Sequence, residues 1–178
     1  ALETSVTAGI IGLILVVIFM ICVYRIPGIV SVVSLFFYTA LVCAIIVIWK
    51  VNLSLPGIAG IILTIGMAVD SNVVIYERIR EELELGKSIR AAVKAGFDRA
   101  FTAVLDSNIT TIIAALVLIK FGTGSVKGFG VTLLIGVVVA LFTAVAVTKV
   151  LLNAFDAFGI KNVWLYGAKK RTHENENA

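Results

Sequence analysis

Asp70-Ser71-Asn72 and Asp106-Ser107-Asn108 are the residues of this chain best suited to chemistry. Each tripeptide opens on a carboxylate inside an otherwise apolar stretch. A charged Asp at the centre of a membrane-spanning helix costs about 2.5–3.5 kcal/mol even on lenient insertion scales. Carboxylates kept there usually face a bundle interior and carry protons, ions or substrate. Asp106 stands one helical turn from Thr110, and Ser107 leads on to Thr110, Thr111 and Ala114. That stripe of hydroxyls can hydrogen-bond a carboxylate or a water. The competing reading is a buried, permanently protonated carboxyl that glues helices together, because burial raises a carboxyl pKa. Asn72 and Asn108 read as residues that orient a neighbour.

Other chemistries find little support. The one histidine, His173, sits in a polar tail, so neither a Ser/His pair nor a Cys/His metal cluster can be built. The stretch Gly122-Thr123-Gly124 to Lys127-Gly128 is glycine-rich with a lysine, but it does not match a phosphate-binding loop, and no strand precedes it. No metal, no cofactor and no enzymatic activity are expected, and nothing points to nucleic acid. Cys22 and Cys43 lie in apolar runs, with Cys43 about 22 Å along its helix. They read as small packing residues whose sulfurs cannot meet.

The elements that hold the aspartates are membrane helices. The chain has 178 residues, 60% of them hydrophobic, with mean hydropathy +1.09. A soluble domain of this size is about half apolar, so too little polar surface remains here to face water on all sides. The expected fold is all-α and integral to a membrane. Five stretches reach the length of about 20 residues that a crossing needs: about 5–24, 28–49, 54–76, 101–120 and 128–152. Arg25-Ile26-Pro27 marks the first turn, and Asn52 to Gly57 the second. The glycine-rich run from Phe121 to Gly128 separates the last two spans. Between Glu77 and Ala100 the apolar residues Ile89, Ala92, Val93, Gly96, Phe97 and Ala100 recur at helical spacing. This predicts a separate amphipathic helix over about 88–100, capped by Ser88 and lying on the cytoplasmic membrane surface. Residues 1–155 are expected to form the membrane domain, and 156–178 a polar cytoplasmic tail.

Basic residues set the orientation. Of the 15 Lys and Arg, one side holds Arg25, the six between Arg78 and Arg99, Lys149, Lys161, Lys169, Lys170 and Arg171. The other side holds only Lys50, Lys120 and Lys127. The positive-inside rule puts the larger set in the cytoplasm. Five crossings then leave the N-terminus outside and the C-terminus inside. With that orientation Asp70 lies about 24 Å along the third span, and Asp106 about 7–10 Å into the fourth. Both fall in the inner half of a membrane core of about 30 Å, where they can share one polar site.

Small residues supply the packing signals. Gly60 and Gly66 share a side of the third span with Ala59, Leu63 and Asp70, and Gly128, Thr132, Gly136 and Ala140 recur every four residues in the fifth. Both stripes allow close helix approach.

The run Gly66 to Glu82 around Asp70, the segment Asp106-Ser107-Asn108-Ile109-Thr110-Thr111, and the segment Phe121 to Phe129 together resemble the SecD family of bacterial protein-export accessory subunits. The likeness reaches to about residue 155. It implies a member of the resistance-nodulation-division superfamily in the bacterial cytoplasmic membrane. It further implies a SecF partner half, work beside the SecYEG channel after SecA, and preproteins as cargo. In the family, the aspartate matched by Asp70 is held to carry protons, and Asp106 matches the aspartate of the next helix. The chain departs from that pattern: five helices stand where the family half has six, and the resemblance leads one to expect a start just after the family's extracytoplasmic domain. No span carries an arginine to pair with Asp70. The isolated stretch could then form a homodimer in place of the missing half. Two alternatives remain, a proton-driven exporter of small molecules or lipids and a scaffold that stabilises the translocon.

Overall fold

The computed structural model describes residues 2–158. Five helices follow in order: α1 (Leu2–Tyr24), α2 (Ile26–Ile48), α3 (Leu55–Glu84), α4 (Ile89–Phe121) and α5 (Ser125–Phe158). All five are long and apolar enough to cross a membrane. Local chemistry sets the breaks between them. Arg25 turns the corner between α1 and α2 with φ 54°, and Pro27 follows in the first turn of α2, where its missing N–H is no loss. The Ser54 hydroxyl accepts from the Gly57 N–H at 3.2 Å and caps α3. Gly86 leaves α3 at φ 88°, in a region that suits only a residue without Cβ. The Ser88 hydroxyl then caps α4 by accepting from Ala91 N–H at 3.4 Å.

One expectation is corrected. Residues 89–100 do not form a helix of their own on the membrane surface. They are the first third of α4, which runs without a break to Phe121. Nothing between Phe97 and Phe101 can stop a helix, and Gly96 pins this segment against α3. A Cβ on Gly96 would meet the Cα and N of Ile79 at 2.6 Å, so the two backbones touch. Helix α3 likewise continues beyond Tyr76, to Glu84. At 1.5 Å per residue, α3 and α4 are about 45 and 50 Å long, against a membrane core of about 30 Å. Their shared end therefore projects from the bilayer as a paired hairpin.

Helix α5 is the centre of the bundle and α1 its edge: 61% of the α5 span is buried and only 6% of the α1 span. The α3–α5 contact is built on glycines. The space a Cβ would need at Gly60 is filled by Thr132, and at Gly136 by Thr64. Gly128 stands 3.0 Å from Ser54 Oγ on the same measure, and Thr132 and Ala140 are buried. Gly66 is different, because a Cβ there would meet nothing within 4 Å. The outside of the bundle is apolar, with Phe36, Phe142 and Val33 well exposed, as lipid contact requires. Cys22 and Cys43, expected as small packing residues, also lie there, both free and exposed and not packed inside the bundle. His173 and the four basic residues beyond position 158 lie outside the described residues.

Candidate functional site

In both tripeptides the aspartate and the asparagine point in opposite directions. Two residues turn a helix by about 200°, so when one is buried the other is not. Asp70 and Asp106 are exposed, and Asn72 and Asn108 are 3% and 2% exposed. Among the described residues neither carboxylate has an ion-pair or hydrogen-bond partner. Ala59, Leu63 and Gly66 open to the same side of α3 as Asp70, and Ser107 and Thr110 to the side of α4 that carries Asp106.

The hydroxyls expected to serve the carboxylates are committed to their own backbone. Thr110 donates to the carbonyl of Asp106 at 3.1 Å, not to its carboxylate, and Thr111 donates to the Ser107 carbonyl at 3.1 Å. Ser71 donates to Met67 at 3.0 Å and Ser107 to Val104 at 3.0 Å. Their oxygens can still accept. The asparagines tie the interior. Asn72 Nδ2 donates to Ser31 Oγ of α2 at 3.3 Å, and Asn108 Nδ2 donates to the Val104 carbonyl at 2.6 Å. Asn108 Oδ1 is buried without a partner.

Several polar residues that matter were missed in the sequence. Ser31 and Tyr38 belong to the buried face of α2, together with Leu35, Val42 and Ile46. Their seven-residue separation was the available signal. Tyr24 of α1 donates its hydroxyl to Glu77 Oε1 of α3 at 2.7 Å, and its ring packs on Tyr76 with centroids 5.7 Å apart. In the projecting hairpin Glu82 is only 1% exposed, yet charged partners reach it from both sides: Lys87 in the turn, and Arg99 Nη1 of α4 at 2.7 Å. The Lys87 ammonium, with Arg99 in support, holds the Glu82 carboxyl below the usual range, against the opposing effect of burial.

Two unpaired carboxylates on a lipid-compatible bundle are an unfinished surface. They need a polar partner, a water path or a proton. Residues 1–157 match the family described as protein export membrane protein SecD/SecF, C-terminal. The chain belongs to the SecD/SecF family. Relatives within it agree. The protein translocase subunit SecD of Acidaminococcus fermentans is 51% identical over 170 residues, covering 95% of this chain and 41% of the relative. The Synechocystis subunit of the same name is 53% identical over 152 residues, which are 85% of this chain and 32% of the relative. A crystal structure of a Thermus SecDF, described as a translocon-associated membrane protein, superposes with TM-score 0.85 at 36% identity. It covers 90% of this chain and 23% of that one. The chain thus spans less than half the length of the SecD relatives it matches.

Proposed function

We propose that this chain is the membrane-embedded part of a SecD-type subunit that assists protein export using the proton-motive force, with Asp70 as the proton carrier. The observation that carries the reading is the outward turn of Asp70 and Asp106 on otherwise lipid-compatible helices. A carboxylate glued inside its own bundle would be buried and paired, and neither is. The unpaired face suits a partner half that brings a cation and closes a water path. Family membership favours a SecF half for that role, with the SecYEG channel, SecA and exported preproteins as further partners. Protonation of Asp70 removes its charge, loosens the hold on the partner cation and lets the two halves shift.

The basic hairpin end is assigned to the cytoplasm by the positive-inside rule. The N-terminus is then extracytoplasmic, residues 1–155 form the membrane domain in the bacterial inner membrane, and 156–178 a cytoplasmic tail. Without its partner half the chain would be prone to cover the open face with a second copy.

The deciding experiment is secretion in cells that depend on the full-length protein carrying Asp70→Asn. Asn matches the protonated side chain in shape and, like it, carries no charge. The expected result is loss of export at normal protein abundance. Normal export would overturn the proposal and leave Asp70 a structural residue.

A further inference from the structure

Helix α4 crosses the lipid edge without a break, so part of its surface stands among the headgroups. With the usual tilt of about 20°, a membrane core of about 30 Å takes about 21 residues of helix. Counted from Lys120 at the other boundary, the core then ends near Arg99. Lys94 stands about 7 Å beyond that point, within a headgroup layer of roughly 5–8 Å. The rings of Phe97 and Phe101 straddle the edge, half-buried and stacked with centroids 5.2 Å apart. Lys94, Phe97 and Phe101 follow at intervals of three and four residues, so they share one flank of α4. Asp106 lies about 120° round the helix from Lys94 and about 18 Å along it. This flank is therefore not the one that carries the carboxylate.

Charge singles out Lys94. The other cations of the hairpin are engaged. Arg78 pairs with Glu81 at 2.7 Å, Arg80 with Glu84 at 3.4 Å, and Lys87 and Arg99 both serve Glu82. Arg90 is engaged too. Lys94 is exposed and, among the described residues, has no ion-pair partner. Asp98 stands one turn away at the border of the same flank, exposed and not paired with it. A lysine placed four residues before an acid is the weaker order for such a pair on a helix. An open ammonium at headgroup depth, beside two aromatic rings at the lipid edge, suits an anionic phosphate with its chains below.

We propose that this flank of α4 binds an anionic phospholipid of the cytoplasmic leaflet. Lys94 pairs with the headgroup phosphate, and the Phe97–Phe101 pair packs against the first carbons of an acyl chain. The bound lipid fixes the depth of α4 in the bilayer, and with it the depth of Asp106. An acidic cytoplasmic protein would meet the ammonium equally well but not the rings, which lie below the headgroups. The inference uses the cytoplasmic assignment of the hairpin and does not use Asp70 as a proton carrier.

The test uses the full-length protein in vesicles of phosphatidylcholine with one quarter phosphatidylglycerol, the latter carrying a photoreactive group high on one chain. Cross-links are mapped by peptide mass spectrometry. The expected result is a cross-link at Phe97 or Phe101 that unlabelled phosphatidylglycerol competes away and phosphatidylcholine does not. Lys94→Gln changes an exposed side chain and leaves the packing alone. It is expected to lower the yield about fivefold, the share that one cation contributes at an anionic surface. Lys94→Arg keeps the yield, and Asp98→Asn raises it, because a repelling charge leaves the flank. An unchanged yield in Lys94→Gln at normal abundance overturns the proposal. So does equal cross-linking by a photoreactive phosphatidylcholine, which marks ordinary lipid contact only. A cytoplasmic protein captured through position 94 in native membranes, with no lipid captured, overturns it as well. The readout is lipid capture and not export, so failure of the Asp70→Asn experiment and failure of this one are separate results.

Discussion

Tyr38 of α2 reaches into the bundle and donates its hydroxyl to the carbonyl oxygen of Gly136 on α5, at 3.0 Å. The same glycine leaves room for Thr64 of α3, so three helices meet at one residue that has no side chain. Both Tyr38 and Thr64 are fully buried. Tyr38→Phe is expected to weaken the bundle by about 0.5–1.5 kcal/mol, the net value of one hydrogen bond, without changing its shape. Unfolding in mixed micelles measures this. Gly136→Ala should be worse, because its methyl lands on Thr64, and overpacking costs about 1–3 kcal/mol.

A contrast between two glycines tests the packing account. Gly96 touches the Ile79 backbone, which cannot yield, and Gly66 faces open space. Gly96→Ala is expected to lose about 1–3 kcal/mol of stability. Gly66→Ala is expected to gain up to about 1 kcal/mol, because alanine is the better helix former. Equal effects of the two changes on the melting temperature would contradict the contact geometry.

Asn72 and Ser31 join α3 to α2 through one hydrogen bond of 3.3 Å. A double-mutant cycle with Asn72→Ala and Ser31→Ala is expected to give a coupling of about 0.6 kcal/mol, the usual size for such pairs in membranes. Asn108 has no interhelical partner for its buried Oδ1. Asn108→Leu should therefore cost less than Asn72→Leu.

The Glu82 clamp predicts a pH dependence. Its carboxyl pKa is lowered in the folded chain, chiefly by Lys87. A lowered pKa means that the stabilisation is complete above the unfolded value, about 4.3 for Glu, and is lost as pH falls through the folded value. The hairpin should therefore be insensitive to pH near neutrality and loosen only in acid. Amide exchange across residues 79–99, followed from pH 7 downward, reads this directly. Glu82→Gln should remove the acid transition and lower the melting temperature at pH 7.

Much of this architecture was legible in the sequence because the bilayer sets strict terms. A span must be about 20 apolar residues long, and Arg25, Ser54, Gly86 and Ser88 are residues that end or start helices for local reasons. The break placed before Phe101 was wrong. It was drawn where hydropathy changes, and hydropathy marks the edge of the lipid, not the end of a helix. Helix α4 crosses that edge without noticing it. The two Asp-Ser-Asn signals gave the right helices, but not which way each side chain turns. That depends on which neighbours α3 and α4 choose, and Gly96 against Ile79 and Thr132 at Gly60 decide it through contacts far apart in sequence. The Tyr24–Glu77 bond was not legible for the same reason, since each residue matters only through another helix, whereas Ser31 left one signal in its seven-residue spacing from Tyr38.

The glycine contacts have a mechanical consequence. With α3 set against α4 at Gly96 and against α5 at Gly60 and Gly136, no soft layer of side chains lies at those points to be compressed. These three helices form a stiff block, and elastic compliance is left to the rim. Helix α1, the least buried of the five described spans, lies in that rim.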